Sequence, residues 1–367
     1  VNGTPEGSSA IEAPSTSGFV GDIAAAILPD GTPLWGHTRR YPDGERDVWV
    51  SSPDGTWSLR LGEPNIVERL VAMDAAPDGD LVLVGTFGAQ LDLGPAGTLD
   101  GGEDAWFVIK VGPDAVPRWG RVLRATTSSF GDPGSLVLTD VEAGSRIALT
   151  GSFEGAVDAA GSLLVTDRPA GLVAAFALDG TPEWVVAPTF SEAPQLGPDD
   201  PPATGPARAT HVAVAPGGDV VAAFDGGAVP GARLVRYDGD DATSIWTRPI
   251  GPPLAPEGTG TLEITALAAG IDGDLHLGVT LAGSFEVAGQ RFDGPGEALT
   301  LRTSANGGYL AATSLGQGDV GALTVDSHGD VIVGATLFGQ LGPAPLEPLV
   351  ANGDDAVLIK LRRIAEQ

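Results

Sequence analysis

The sequence predicts an all-β protein, a β-propeller of six four-stranded blades, with seven blades as the alternative register. Three observations predict it. A unit built of short apolar runs recurs along the 367 residues. The runs are rich in Val, Leu, Ile, Ala and Thr and are separated by Gly, Asp and Pro, which is strand-and-turn chemistry. A turn opened by Asp or Asn and followed by an aromatic residue recurs with the unit.

The units follow one another in order. The first is compact, GDIAAAILPDGTPLWGHTRR (21–40) and then RDVWVSSPDGTWSLRL (46–61). The second reads VERLVAMDAAPDGDLVLVGTF (67–87) and DAWFVIKVGPDAVPRWGRVL (104–123). The third reads GSLVLTDVEAGSRIALTGSF (134–153) and GLVAAFALDGTPEWVV (171–186). The fourth reads ATHVAVAPGGDVVAAF (209–224) and ARLVRYDGDDATSIWTRPI (232–250). The fifth is LEITALAAGIDGDLHLGVTL (262–281) with EALTLRTSANGGYLAATSL (297–315), and the sixth is VGALTVDSHGDVIVGATL (320–337) with DDAVLIKLRRI (354–364). The blades expected from these units are 19–66, 67–127, 134–190, 207–251, 260–316 and 318–367, with a Pro-rich insert at 191–206.

Aligned just after the first turn, the units place Thr32, Asp80, Arg146, Asp219, Asp274 and Asp330 in one column. The aromatic signature pairs Asp30 with Trp35, Asp54 with Trp57, Asp114 with Trp119, Asp179 with Trp184, Asp241 with Trp246, and Asn306 with Tyr309. It is assigned to the hairpin between third and fourth strands. Asp and Asn suit such turns because the side chain bonds nearby backbone and tolerates positive φ. The aromatic covers the outer part of a blade. First strands alternate: Val71, Met73 and Ala75 on one face of the second unit, Ala72, Asp74 and Ala76 on the other. The last unit stops after its third strand. The N-terminal segment 1–18 is therefore expected to be a tether or a closing strand, with Ser8–Pro14 as the pairing stretch.

The units resemble the bacterial β-propeller repeats of SBBP type, found in secreted and surface proteins, notably of myxobacteria and their relatives. The residues that carry the resemblance are Gly79-Asp80-Leu-Val-Leu-Val-Gly85-Thr86-Phe87, Gly151-Ser152-Phe153, Asp104-Ala-Trp-Phe-Val-Ile-Lys110, Asp355-Ala-Val-Leu-Ile-Lys360 and the Asp179-Gly-Thr-Pro-Glu-Trp184 hairpin. It covers roughly residues 20–364 and implies a fold, since the family shares no reaction.

Composition narrows the function. Asp+Glu 48 against Lys+Arg 20 gives a net charge of −28, which argues against a nucleic-acid partner. Cys 0 removes disulfides, thiol catalysis and cysteine metal sites. No stretch reaches 18 apolar residues, so membrane insertion through a helix is not expected. The two lysines are Lys110 and Lys360, and the arginine bias points to a GC-rich bacterial genome. A start at Val1 and a small, polar opening segment point to a processed, lipoprotein-like chain that is secreted, periplasmic or on the outer cell surface.

The four histidines, His37, His211, His276 and His328, fall in different units with no zinc-enzyme spacing. No G-x-S-x-G elbow and no P-loop is present. The candidate binding residues are Asp74, Asp140, Glu142, His211 and Asp326, read as lying at a channel mouth. Asp74 and Asp140 are placed in the same column of adjacent first strands. With Asp326 they are the candidates for Ca²⁺, the one cofactor considered, because Ca²⁺ takes six to eight oxygen ligands. Ser52-Pro53-Asp54-Gly55-Thr56-Trp57 is similar to the Asp-box of sialidase propellers, with altered spacing. The expected function is a non-catalytic binding or scaffold module with a protein or glycan partner. The alternatives are a subunit that assembles through terminal strands, and a carbohydrate-active or hydrolytic propeller enzyme.

Overall fold

The apolar runs fold as antiparallel strands throughout the residues that the computed structural model describes: 19–62, 67–126, 135–188, 208–224, 232–250, 261–287, 290–326, 328–338, 340–341, 349–350 and 355–361. The chain divides into two compact units, Val1–Thr126 with Asp158–Gly161, and Thr127–Val157 with Ser162–Gln367. The architecture is all-β, and the fold is a β-propeller.

The first unit carries two sheets. β1 (Phe19–Ile27), β2 (Pro33–Arg40), β3 (Arg46–Ser51) and β4 (Ser58–Leu61) pair in chain order. β5 (Arg69–Ala75), β6 (Leu81–Asp92), β7 (Thr98–Val111) and β8 (Pro117–Thr126) do the same, with a 3-10 turn at Gly94–Ala96. Leu34, Val50, Leu70, Leu83, Phe87 and Phe107 are buried in its core.

In the second unit, β9 (Ser135–Ala143), β10 (Ile147–Ala159), β11 (Ser162–Phe176) and β12 (Pro182–Val186) pair in chain order. β13 (Ala209–Val214), β14 (Val220–Phe224), β15 (Ala232–Tyr237) and β16 (Ser244–Ile250) form the next. β17 (Thr261–Ala269), β18 (Leu275–Val287), β19 (Gln290–Thr303) and β20 (Tyr309–Val325) follow. β20 does not stop at the expected boundary near residue 317. Its first half pairs with β19 and its second half with β21 (Val331–Phe338), so one strand closes a sheet and opens another. The handover falls at Gly316 (φ 112°) and Gly318 (φ 147°), a backbone that only glycine adopts without strain. After β21 comes the pair β22 (Gln340–Leu341) and β23 (Leu349–Val350), then β24 (Asp355–Leu361) against β21. Among the described residues the last sheet has three full strands, as the sequence implies. The closing-strand expectation for Ser8–Pro14 lies outside the described residues, as does the 191–206 insert.

The first strand of every sheet holds one extra residue. The pairing skips Asp22, Val71, Thr139, Thr210, Thr265 and Gly321 in turn. Such a bulge bends and twists the strand, and its regularity ties it to the fold. It also explains the glycine of the repeated motif. Gly85 and Gly151 sit opposite the residue before the bulge, and a Cβ on either would collide with a carbonyl, that of Arg69 or of Val137.

The bulge interrupts the expected alternation of the first strand, since Leu70 and Met73 are both buried. It also exposes an error in the column assignment. The β9–β10 turn is three residues, Gly144 to Arg146, because Ala143 pairs with Ile147; the β5–β6 turn is five, because Ala75 pairs with Leu81. Counting back from turns of unequal length shifts the alignment by two. Counted from the bulge, Asp74 corresponds to Glu142, and Asp140 corresponds to Ala72, His211, Ala266 and Ala322.

The turn chemistry is as expected at five of six aspartate or asparagine positions. The Oδ1 atoms of Asp30, Asp54, Asp114, Asp179 and Asp241 accept the backbone N–H two residues on, at 2.8–3.3 Å. At the sixth, Ser304 takes the role that Asn306 was given, accepting the Gly308 N–H at 3.2 Å. The Asp30–Trp35 pair departs in position: its turn joins β1 to β2, the first hairpin, whereas Asp54–Trp57 joins β3 to β4.

A cation clip also repeats. Lys110, Arg236, Arg302 and Lys360 sit in third strands, each opposite the second-strand residue two beyond the turn aspartate. They reach Asp80 at 3.2 Å, Asp219 at 2.8 Å, Asp274 at 2.5 Å and Asp330 at 3.1 Å. This gives the lysines of the two Asp-Ala-…-Lys runs a structural task. In the third sheet Arg146 replaces the aspartate, and it reaches outward to Glu183 at 2.8 Å and to the Gly239 carbonyl.

Candidate functional site

First strands run side by side within each unit, and in the second unit β9 lies against β13 and β13 against β17. The residue after the bulge is alanine in β5, β17 and β20, and isoleucine in β1. In β9 and β13 it is Asp140 and His211. These equivalent positions of adjacent strands put His211 Nδ1 3.6 Å from Asp140 Oδ2, with side chains 25% and 28% exposed. Asp140 is fixed from both sides. Its Oδ1 accepts the N–H of Val141 at 2.9 Å and its Oδ2 accepts the N–H of Val212 at 3.0 Å. The neighbouring bulge residue Thr139 donates its hydroxyl to the Ala209 carbonyl at 3.0 Å, so the two strands are tied on both sides of the pair. Glu142 is half-buried on the same face of β9 as Asp140, with Val141 buried between them.

The other sequence candidates lie in other elements. Asp74 is half-buried in β5 of the first unit. Asp326 lies in the β20–β21 turn, where it accepts the N–H groups of His328 at 2.9 Å and Asp330 at 3.0 Å and the Lys360 ammonium at 2.7 Å. The Lys360 hydrogen bond foremost holds its carboxyl down at about 2. Asp326 is thus a turn and clip residue. Among the described residues no group of three or more His, Asp or Glu side chains is placed to hold a metal ion.

The remaining histidines differ in setting. His37 is half-buried in β2, and burial, with the Arg39 charge, lowers its pKa below the ordinary imidazole value. His328 is exposed beside Asp326 at 3.9 Å. His276 lines a cavity of 170 Å³ in the second unit, together with Asp272, Arg302 and Thr313. The sequence reading singled out His211 and passed over His276, because the signal for the latter is its alignment with Arg302 across β18 and β19. The Asp-box-like turn is a closed network: Asp54 accepts from the hydroxyls of Ser52 at 2.6 Å and Thr56 at 2.8 Å, and Trp57 N–H donates to Ser52 Oγ at 3.0 Å. Those bonds, that of Ser52 first, lower the Asp54 pKa to about 2. No helix of the described residues is long and apolar enough to cross a membrane.

No family model and no curated protein matches the sequence. Among solved structures, the chain is similar to a GH93 α-L-arabinofuranosidase of Fusarium graminearum in complex with arabinobiose, with 13% identity, 93% of each chain covered and a TM-score of 0.48. It is similar to an α-L-arabinanase of Penicillium chrysogenum with 12% identity, 93% of each chain covered and a TM-score of 0.46. It is also similar to the Dos1 propeller, with 9% identity, 93% of this chain and 94% of that one covered and a TM-score of 0.42. At these identities the likeness is one of fold. The expectation of a non-catalytic module stands against the names of these solved structures, two of which are arabinan-acting enzymes.

Proposed function

We propose that the chain is a hydrolytic propeller enzyme acting on neutral carbohydrate, with Asp140, Glu142 and His211 as its reacting groups. The observation that carries this reading is the Asp140–His211 contact at a position where the other first strands place alanine or isoleucine. A carboxylate beside an imidazole, both partly exposed, can exchange a proton with a bound molecule. Asp140 and Glu142 are two residues apart on one face of a strand, which spaces them ~6.5–7 Å at the rise of a β-strand. Side chains of different length carried at that backbone spacing can set their carboxyls within the ~6.5–9.5 Å at which inverting glycoside hydrolysis keeps its base and acid, with water between them. Asp140, held as an acceptor by two backbone N–H groups, takes the proton of the attacking water. Glu142 protonates the departing sugar oxygen, and His211 relays the proton away from Asp140. The net charge of −28 disfavours a polyanionic substrate, which leaves neutral glycans. The SBBP-type resemblance supports a secreted or surface setting for such an enzyme.

Release of reducing ends from a panel of neutral polysaccharides and aryl glycosides tests this. Wild-type protein is expected to turn over at least one substrate, and Asp140→Asn and Glu142→Gln to lower kcat by about 10²–10⁴ with an unchanged circular-dichroism spectrum. Full activity in both variants, or no turnover across the panel, removes the proposal.

A further inference from the structure

The turn between β19 and β20 carries an asparagine where its counterparts carry aspartate, and a glycine follows it. Asn306 and Gly307 hold the places that Asp179 and Gly180 hold in the third sheet. Gly180 donates its N–H to the Ala177 carbonyl and Gly307 to the Ser304 carbonyl, both at 2.8 Å, with φ of 80° and 77° at the two glycines. The side chains before them differ. The Asp179 carboxylate is tied to the Thr181 N–H at 2.9 Å. In the later turn Ser304 Oγ accepts the corresponding Gly308 N–H at 3.2 Å. The Asn306 side chain is exposed and has no hydrogen bond to any described residue.

Asparagine is a thermolabile residue, and a following glycine has no Cβ to shield its amide. The Gly307 main-chain nitrogen can attack Asn306 Cγ. The Cγ–Nδ2 bond then breaks, and ammonia leaves with the proton of that nitrogen. Water, the only co-reactant, opens the resulting five-membered imide at one carbonyl carbon or the other, giving aspartate or isoaspartate. The fold restrains the first step. Gly307 is buried, and a Cβ there would meet Arg248 Cγ at 2.6 Å and the Trp246 ring at 3.3 Å. Three donors of the fourth sheet grip the turn. Arg236 Nη1 at 2.8 Å and Trp246 Nε1 at 3.1 Å donate to the Ala305 carbonyl, and Arg248 Nε donates to the Asn306 carbonyl at 3.3 Å. With its N–H given to Ser304, the Gly307 nitrogen is released for attack when the turn opens locally. We propose that Asn306 is a site of spontaneous deamidation, and that the grip of the fourth sheet on this turn sets its rate. The aspartyl product matches the sibling turns. The isoaspartyl product routes the main chain through the side chain, which adds a methylene and takes from the main chain the carbonyl that Arg248 meets. The inference does not rest on the catalytic reading of Asp140 and His211.

Mass-spectrometric peptide mapping of the full chain, incubated in mildly alkaline buffer with and without urea, tests this. Electron-transfer fragmentation locates the mass gain and tells isoaspartate from aspartate, so that Asn2 and Asn352, which also precede glycine, are counted apart. Product at position 306 is expected in the folded protein, at a lower rate than in urea. Arg248→Ala and Trp246→Phe each remove one hydrogen bond from the turn. Each is expected to raise the folded-state rate about 2- to 10-fold, the fold-change of one hydrogen bond, and the second serves if the first folds poorly. The isoaspartyl form, separated by anion exchange, is expected to melt below the aspartyl form. Absence of product at 306 from wild type and both variants overturns the proposal. So do equal rates in folded and urea-treated wild type, wild-type rates in both variants, or an isoaspartyl form that melts above the aspartyl one.

Discussion

The Trp184 indole donates its Nε1–H to the Gly239 carbonyl at 2.7 Å, which ties the fourth strand of one sheet to the third-to-fourth turn of the next. Trp246 repeats the bond one sheet later, donating to the Ala305 carbonyl at 3.1 Å. The recurrent tryptophans therefore join neighbouring sheets as well as covering their own. Trp184 is also packed at 6.0 Å from Tyr237, whose hydroxyl is buried and whose pKa burial raises.

Trp184→Ala is expected to cost about 3–5 kcal/mol, the range for a buried aromatic. Trp184→Phe keeps most of the packing and loses one hydrogen bond, so about 1 kcal/mol is expected beyond the small change in area. Urea denaturation of the two variants checks this. Equal losses would mean that the hydrogen bond, not the packing, dominates the contact.

The bulge glycine makes a sharper demand. Gly85→Ala puts a methyl against the Arg69 carbonyl and the Phe107 ring, at 2.5 Å from its Cζ. Overpacking of this kind costs about 1–3 kcal/mol, and Gly151→Ala should behave alike. A thermal melt in which either variant equals wild type would show that the bulged strand yields freely.

The clip of the second sheet is asymmetric, because Lys110 is buried at 4% exposure while the Asp78 side chain is 43% exposed. Removing the cation as Lys110→Met leaves Asp78 able to hydrate. Removing both carboxylates as Asp78→Asn with Asp80→Asn strands a buried ammonium, for which about 3–5 kcal/mol is expected. Chemical denaturation should therefore rank the double variant below Lys110→Met, and the reverse order would contradict the clip.

Acid should release the equivalent clip of the last sheet. The Asp326 carboxyl is held at about 2, against 3.8 for a free aspartate, chiefly by the Lys360 ammonium. A depressed carboxylate stabilises the folded state above its unfolded pKa, and that contribution is lost as pH falls through the folded one. Wild type should thus lose this contribution between pH 3.8 and about 2. Asp326→Asn should be less stable than wild type at neutral pH and approach it in acid. Melting curves that stay separated by the same interval at pH 2 would refute the assignment.

The turn column Thr32, Asp80, Arg146, Asp219, Asp274 and Asp330 was legible in the sequence. Each of these residues directly precedes the second strand of its sheet, and turn chemistry leaves a compositional mark. The bulges leave none, since the extra residue is Asp, Val, Thr or Gly indifferently. Without them, Asp74 aligned with Asp140, and the true equivalence of Asp140 with His211 stayed hidden. The same limit hid the cavity, because His276 and Arg302 meet only through pairing across a hairpin of 25 intervening residues. The continuity of β20 was also invisible, as Gly316 and Gly318 read like any turn.

Arg146 supplies the last test, because the repeat itself suggests the wrong substitution. Bringing a position to its repeat consensus commonly stabilises a protein, and here the consensus is aspartate. The physical setting argues the opposite. Third strands with an aspartate at this turn position supply a cation to meet it, whereas the end of β11 runs Ala174, Ala175, Phe176, all buried. Arg146 is instead 11% exposed and spans to Glu183 at 2.8 Å and Asp240 at 3.5 Å, while sharing the Gly239 carbonyl with Trp184. Arg146→Asp would remove the cation from Glu183 and Asp240 with none supplied by the end of β11, and would remove one of the two donors from that carbonyl. A loss of about 1.5–3 kcal/mol is expected, that of a hydrogen bond from a charged donor to the Gly239 carbonyl. Arg146→Met, which keeps the stem but no charge, should lose less. Adding a cation in the third strand, as Ala175→Lys, should not rescue the aspartate variant, since that side chain is fully buried. A stabilised Arg146→Asp protein in equilibrium denaturation would show that the repeat consensus, and not the Gly239 contact, governs this turn.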